Sequence, residues 1–304
     1  MDNQKQRADK LRALHDPSAP LVLLNVWDVM SAKAVAATGA AAIATSSAAM
    51  AWSLGVQDGT GSAPDGFFEQ VARIAAAVEP LPLTVDIEAG FGTTPAQVAS
   101  AVRKVVTAGG VGVNIEDRRL PTGGAGSTLY PVEEQQVRLR AARAAAEAMS
   151  VPLVINARID TFLMEVGDAA TRLDATVQRA AAYRAAGADC IFVPGVRDLE
   201  TIAALAERID GPLNVLAGHG SPPLPELTKA GVARVSFGPW PALALLGQLQ
   251  RIAQGVLTNG TYGPFEGSLS FAQGQVLIAA APTAAAIRTA SPAGEGSAPA
   301  PAAT

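Results

Sequence analysis

Asp86 and Glu88 stand one residue apart at the end of an apolar run, in the stretch LPLTVDIEAGFG over residues 81–92. Side chains alternate along a strand, so residues two apart share a face. The same spacing recurs further on. Asn114 and Glu116 share a face in GVGVNIED (110–117), and Asn156, Arg158 and Asp160 share one in PLVINARID (152–160). Acids brought close together repel and raise one another's pKa unless a cation sits among them. A hard divalent ion with oxygen ligands, Mg2+ or Mn2+, resolves that conflict. The paired acids therefore read as part of a metal site. A structural reading stands beside it: a single acid at a strand end often caps the next helix. Asp117 is a candidate for that role, and Asp160 for capping or for pairing with Arg158.

These residues need elements to bring them together. Short β-rich runs recur at 21–26, 41–46, 81–89, 110–117, 152–160, 190–195, 213–217 and 232–238. Near-continuous apolar strands mark a parallel sheet covered on both faces by helices. Segments 95–108, 132–149, 168–186 and 241–255 carry helix formers with apolar residues three and four apart. Pro95 and Pro131 stand where helices start, and AGG (108–110) and AAGAD (185–189) where they stop. Eight such units predict a (β/α)8 TIM barrel over residues 1–265. A doubly wound open sheet, the main competitor, shows a glycine-rich phosphate turn after its first strand. Here that strand runs into NVWDVMSA (25–32), which has no such turn; Asp28 is a candidate cap for the helix beginning near Ser31, and Trp27 a candidate lining of the pocket floor. In a barrel, strand ends form the C-terminal mouth, where active sites are built. Three neighbouring strands would deliver Asp86, Glu88, Glu116 and Arg158 to one rim. Residues 266–281 are expected as one more helix outside the eightfold count. Residues 282–304, rich in Pro, Ala, Gly and Ser, are expected to be disordered.

Composition narrows the function classes. Of 304 residues 49% are hydrophobic and only 16% charged, with a net charge of −4 and no basic block. That gives no footprint for nucleic acid. No run has the length and apolarity of a membrane span. The polar N-terminus lacks the apolar middle of a signal peptide. The single cysteine, Cys190, allows no internal disulfide, so a reducing cytoplasm is expected. His219, in LAGHGSPP, follows the seventh run and reads as incidental.

From about residue 20 to 260 the sequence resembles the isocitrate lyase/phosphoenolpyruvate mutase superfamily, and most closely its smaller members. The landmarks are NVWDVMSA, ATSSAAMAWSLGVQDG (44–59), DIEAGFG (86–92), NIEDR (114–118) and INARIDTF (155–162). Members are (β/α)8 barrels, usually tetramers built from dimers that exchange a C-terminal helix. They bind Mg2+ and make or break C–C or P–C bonds beside a carboxylate, through an enolate of pyruvate or a similar acid. The resemblance implies Asp86 as the direct metal ligand, with Asp58, Glu88 and Glu116 holding the metal's waters. It implies Ser46, Ser47 and Ala48 as the segment holding the substrate's carboxylate and oxyanion. Arg158 matches the arginine that binds substrate and meets developing charge, in a catalytic set with Asp58 and Arg118. A bidentate fork suits Arg158 to that role. The glycine-bearing segment 118–131, with Gly123, Gly124 and Gly126, matches a gate that closes over the substrate; Arg118 and Tyr130 are its candidate contacts. The bland reading is an ordinary solvent loop.

The departures are as informative. Tricarboxylic-acid lyases of this family carry a Lys-Lys-Cys-Gly-His segment, and here RRLPTGGAGSTLYP (118–131) has neither Cys nor His. Phosphonopyruvate-acting members carry a lysine where this chain has Arg118, and a histidine on the sixth strand, which here reads FVPG (192–195). The implied activity is a Mg2+-dependent C–C lyase of a small α-keto or α-hydroxy acid, such as oxaloacetate or a substituted malate. P–C chemistry on phosphonopyruvate, a metal-dependent aldolase barrel and a non-catalytic barrel are the alternatives.

Overall fold

The computed structural model describes residues 2–120 and 128–280. Gly123, Gly124 and Gly126 of the expected gate, and the 282–304 tail, lie outside the described residues.

Strand by strand the chain runs β1 (Leu21–Leu23), β2 (Asn25–Val26), β3 (Ile43–Thr45), β4 (Leu83–Asp86), β5 (Gly112–Glu116), β6 (Arg118–Arg119), β7 (Thr128–Leu129), β8 (Val154–Arg158), β9 (Cys190–Val193), β10 (Leu213–Leu216) and β11 (Arg234–Ser236). Nine of these form one parallel sheet in the order β1-β11-β10-β9-β8-β5-β4-β3-β2. β1 and β2 are two halves of one strand interrupted at Leu24. The first half pairs with β11 and the second with β3. The sheet thus closes on itself as the expected eight-stranded barrel. Asn25 spans the interruption: its amide nitrogen donates to Thr45 O at 2.7 Å, and its amide oxygen accepts from Phe237 N at 2.8 Å and Gly238 N at 2.9 Å. β6 and β7 form a separate antiparallel pair.

The helices are α1 (Asp2–Ala13), α2 (Val29–Ala37), α3 (Ser47–Ser53), α4 (Phe67–Val78), α5 (Pro95–Thr107), α6 (Val132–Ala148), α7 (Arg172–Ala185), α8 (Leu199–Arg208), α9 (Leu224–Lys229), α10 (Trp240–Asn259) and α11 (Phe271–Ala279). Their boundaries follow the capping residues. Pro95 opens α5 behind the Thr94 capping box, and Asp28 accepts from Ser31 N at 2.7 Å to cap α2. Gly109 (φ 94°) and Gly187 (φ 100°) follow α5 and α7 in the left-handed conformation expected of helix stops.

Alternation along the strands divides the core. Val85, Val113, Ile115, Ile155, Ile191 and Val235 are buried against the helices. The lumen face is polar instead: Thr84, Asn114, Asn156, Asn214 and Arg234 are buried there. Arg234 Nη2 donates to Asn114 Oδ1 at 3.1 Å, and Asn156 Nδ2 donates to the same oxygen at 2.9 Å. The N-terminal end is sealed by α1, where Arg12 donates to Pro152 O at 3.0 Å and Leu11 is fully buried. A Cβ on Gly112 would stand 2.7 Å from Leu11 Cδ2, so only glycine admits this plug. His15 follows α1 and lies 3.4 Å from Arg234; burial and that cation push its pKa down to about 4. Among the described residues no helix is long and apolar enough to cross a membrane.

Candidate active site

Asp86 is the last residue of β4. Its backbone N–H donates to Thr45 Oγ1 at 3.0 Å, which locks the strand end to β3. Its carboxylate accepts from Ser47 Oγ at 3.2 Å and from Glu88 N at 3.3 Å. The chain then turns sharply. Glu88 has φ 51° and Phe91 φ 48°, left-handed values that non-glycine residues adopt only at a cost of about 1–3 kcal/mol. Gly90 sits between them at φ 88°, where a Cβ would meet Val98 Cγ2 at 2.8 Å. Glu116 N donates to Glu88 O at 2.9 Å, tying the turn to the end of β5.

The next two strands complete the rim. Glu116 and Arg158 are register partners at the ends of β5 and β8, and Arg158 Nη1 lies 2.7 Å from Glu116 Oε2. Arg158 also grips Asp160 with two parallel bonds, Nε to Oδ1 at 2.6 Å and Nη2 to Oδ2 at 2.8 Å. Asp160 thus takes the pairing role open to it in the sequence, rather than capping a helix. Asp117 is no helix cap either. It is fully buried and accepts from Asp160 N at 2.9 Å, Arg179 Nη1 at 3.1 Å and Tyr183 OH at 2.8 Å. It props the loop that carries Asp160.

Electrostatics bind the acids into one unit. Burial pushes the Asp86 carboxyl up; Arg158 opposes this and Asp58 adds to it. Burial, Asp58 and Asp86 raise Glu88 to about 7, against N–H donation from Gly59 and Gly61. Burial also raises Glu116, opposed by Arg158 and reinforced by Asp160, Asp86 and Glu88. Burial works against the charge on Arg158, and Asp160 and Glu116 outweigh it, so the guanidinium stays firmly charged. Asp58 stands on an exposed loop that still reaches Asp86 and Glu88 electrostatically.

The structure thus brings Ser47, Asp58, Asp86, Glu88, Glu116 and Arg158 to one end of the barrel. Ser46 is buried and spends its hydroxyl capping α3, accepting from Ala49 N at 3.3 Å; Ala48 lies in the first turn of that helix. Arg118 begins β6, two residues after Glu116, in the stem of the 118–131 segment. Tyr130 is buried beneath that stem rather than exposed as a gate contact. His219 is exposed in the loop after β10. Sequence reasoning passed over two side chains beneath the site, Gln135 and Arg138. Both are fully buried on α6, at positions on its core-facing stripe.

Among the described residues no three Asp, Glu, His or Cys side chains close on one point as a ready cage. The all-oxygen donor set of Asp58, Asp86, Glu88 and Glu116, with no closed cage among the described residues, suits a hard ion that keeps most of its waters. Mg2+ dehydrates reluctantly and binds in this way. Three acids with raised pKa values that share one rim supply the negative charge for it.

The comparisons with known proteins agree with this geometry. A family model described as phosphoenolpyruvate phosphomutase matches residues 11–257. The oxaloacetate decarboxylase of Pseudomonas aeruginosa is 35% identical over 234 residues, 75% of this chain and 77% of that protein. The solved structure of a Burkholderia cenocepacia protein assigned as a lyase/mutase is 34% identical. It superposes with a TM-score of 0.83, covering 93% of this chain and 100% of the other. A phosphonopyruvate hydrolase solved with oxalate and Mg2+, 23% identical with a TM-score of 0.76 over 90% of this chain and 94% of that one, shares the fold. A closed parallel barrel with its acids and arginine on one rim, matched over most of its length, belongs to the phosphoenolpyruvate phosphomutase family, within the isocitrate lyase/phosphoenolpyruvate mutase superfamily of lyases and mutases.

Proposed function

We propose that this chain is a Mg2+-dependent lyase that cleaves a C–C bond of a small α-keto or α-hydroxy carboxylic acid through a pyruvate-like enolate. Oxaloacetate and substituted malates are the favoured substrates. The observation that carries the reading is Arg158, a buried cation oriented by Asp160 and set among Asp86, Glu88 and Glu116.

Asp86 would hold the ion directly, and Asp58, Glu88 and Glu116 would hold its waters, with Mn2+ as the alternative ion. When bound, the ion supplies positive charge where the substrate's oxygens gather negative charge. Arg158 adds a second cation at the same place, fixed before the reaction begins, and so favours the enolate over the ground state. Ser46, Ser47 and Ala48 would orient the substrate's carboxylate at the start of α3. Arg118, at the stem of the covering segment, would help exclude water and protect the enolate from stray protonation.

Cys190 is fully buried on β9, and burial pushes its thiol up to about 12, so it is kept as a thiol rather than a reactive thiolate. Decarboxylation of oxaloacetate tolerates this, because the enolate takes its proton from solvent or a weak acid. Arg158 lies 5.9 Å above the Phe192 ring, on the strand where phosphonopyruvate-acting relatives are expected to place a histidine. That apolar wall favours C–C over P–C chemistry.

Exposed apolar side chains on α10 and beyond it, among them Leu245, Leu249, Leu257 and Phe271, support a homo-oligomer, with a tetramer as the family form. The test is pyruvate release from oxaloacetate and a panel of malates, with and without EDTA, run beside 31P NMR on phosphonopyruvate. Release abolished by EDTA is expected. A silent panel sinks the lyase reading, and loss of the phosphonate signal replaces it with P–C cleavage.

A further inference from the structure

Helix α6 buries a stripe at 135, 138, 139, 142, 145 and 146. Four of these positions are apolar; Gln135 and Arg138 are not, and both are fully buried. Arg138 Nη1 donates to Thr93 O at 2.7 Å, and Nη2 donates to Gly92 O at 3.1 Å and also to Ala89 O. Its Nε donates to Gln135 Oε1 at 3.1 Å, and Gln135 Nε2 donates in turn to Glu116 O at 3.1 Å. One guanidinium thus gathers three carbonyls of the turn after Asp86 and, through Gln135, reaches the backbone at Glu116.

The pattern of partners is unusual for a buried cation. Carbonyls and an amide face it rather than a carboxylate, and burial lowers its pKa. Glu134 supplies some opposing charge, but among the described residues no carboxylate accepts a hydrogen bond from Arg138. A desolvated charge paired so loosely costs stability, and an apolar side chain of like volume would fill the space more cheaply. What the guanidinium supplies is a planar fork of donors at fixed angles. The turn it grips needs such an anchor, because Glu88 and Phe91 are both held at positive φ. Above it, the Tyr130 ring lies 4.2 Å from the guanidinium carbon, and Tyr130 directly follows β7 in the stem of the 118–131 segment.

We infer that Arg138, relayed by Gln135, is a positioning residue: it fixes the turn that presents Glu88 to the metal site and sets the backbone at Glu116. Arg138 touches neither substrate nor ion. The inference rests on the metal reading of the rim for its consequence, and on geometry alone for the hold on the turn. It extends the site one layer outward, to residues that set carboxylate placement and through it ion affinity.

The test uses the full chain with Arg138→Lys and Arg138→Met, read by Mg2+ titration calorimetry and by hydrogen exchange of the peptide spanning residues 87–94. Both variants are expected to weaken Mg2+ binding by about 10- to 100-fold, the usual cost of losing a partner behind a ligand. Faster exchange is expected in the 87–94 peptide but not in β10. Lysine keeps the charge and loses the fork, so it is expected to rescue little. Arg138→Ala with free guanidinium at a non-denaturing concentration is expected to regain affinity. Parental Mg2+ affinity in a folded variant, or a turn that exchanges no faster than in the parent, overturns the inference. If Arg138→Met fails to fold, Arg138→Lys decides by the same readings. A parent chain that binds no Mg2+ sinks the metal reading instead, and the exchange measurement alone then decides whether Arg138 holds the turn.

Discussion

Arg158 and Asp160 face each other across one intervening residue through two parallel hydrogen bonds, while the far side of the same guanidinium meets Glu116 at 2.7 Å. Asp160 is fully buried, so it fixes the plane of the arginine without competing for ligands in the mouth. Nε and Nη2 are both taken by Asp160, and Nη1 meets Glu116. An incoming carboxylate therefore meets a cation whose orientation is set before it arrives.

Arg158→Lys keeps the charge and loses the fork. We expect kcat/KM for the best substrate to fall by about 10²–10³, the scale of a lost preorganised donor. Arg158→Met removes the charge as well and leaves Asp160 and Glu116 buried and uncompensated. Thermal unfolding is then expected to show a loss of about 3–5 kcal/mol, which the lysine variant largely avoids.

Asp86→Asn is expected to abolish Mg2+ binding in calorimetry, whereas Glu88→Gln weakens it by about 10- to 100-fold. The same Asp86→Asn change relieves a buried charge that repels Asp58 and Glu88. In EDTA its unfolding temperature is expected to equal or exceed the parent's, and a clear drop would show that Asp86 is a structural acid.

The acids give stability a definite dependence on pH. Glu88 has an ordinary value of 4.5 and is raised to about 7 in the fold. Between those values the folded chain binds more protons than the unfolded one, so stability falls as pH rises. In EDTA the unfolding temperature is expected to fall from about pH 4.5 through pH 7. The contribution of Glu88 is at most about 3 kcal/mol. Added Mg2+ is expected to stabilise far more at pH 8 than at pH 5.5, with protons released on binding. Glu88→Gln should flatten the slope in EDTA.

Asp117 carries a burden of another kind. Asp117→Ala would strand the Asp160 N–H and the Tyr183 hydroxyl without their acceptor and take from Arg179 its carboxylate partner, leaving it Tyr130 O and Tyr183 OH. A cost of about 3–5 kcal/mol in chemical denaturation is expected. Because Asp117 acts on the loop holding Asp160, the folded variant is expected to show a raised KM with kcat less affected.

Much of this architecture is legible in the residues. Apolar runs ending in DIE, NIED and NARID mark β4, β5 and β8 and state which side chains share the lumen face. Asp86, Glu116 and Arg158 follow from period-two spacing. Glu88 does not, because it lies beyond β4 in a left-handed turn where alternation no longer holds, and Asp58 comes only from the resemblance. The support beneath them was harder to see. In EEQQVRLRAAR, Arg138 looks like one charge among many on a solvated helix. Its burial depends on a distant turn whose carbonyls point at it, which no local pattern records. The clue was there in phase: Gln135 and Arg138 fall on the stripe shared by Leu139 and Ala142. Arg234 hides in the same way, in VARVSFG, where alternation sends it inward. Asp117 was misread because the acid after Glu116 looks like the start of the next helix, whereas its partners lie on α7, some 60 residues away.

The interruption at Leu24 has a consequence for how the chain is made. Asn25 emerges from the ribosome early, yet the amides it holds at Phe237 and Gly238 come 212 and 213 residues later. Until then the leading edge of β1 has no neighbour, and the nascent sheet is an open arc. The last parallel strand is the keystone: β11 alone joins β10 to β1, so the ring cannot close before it is made.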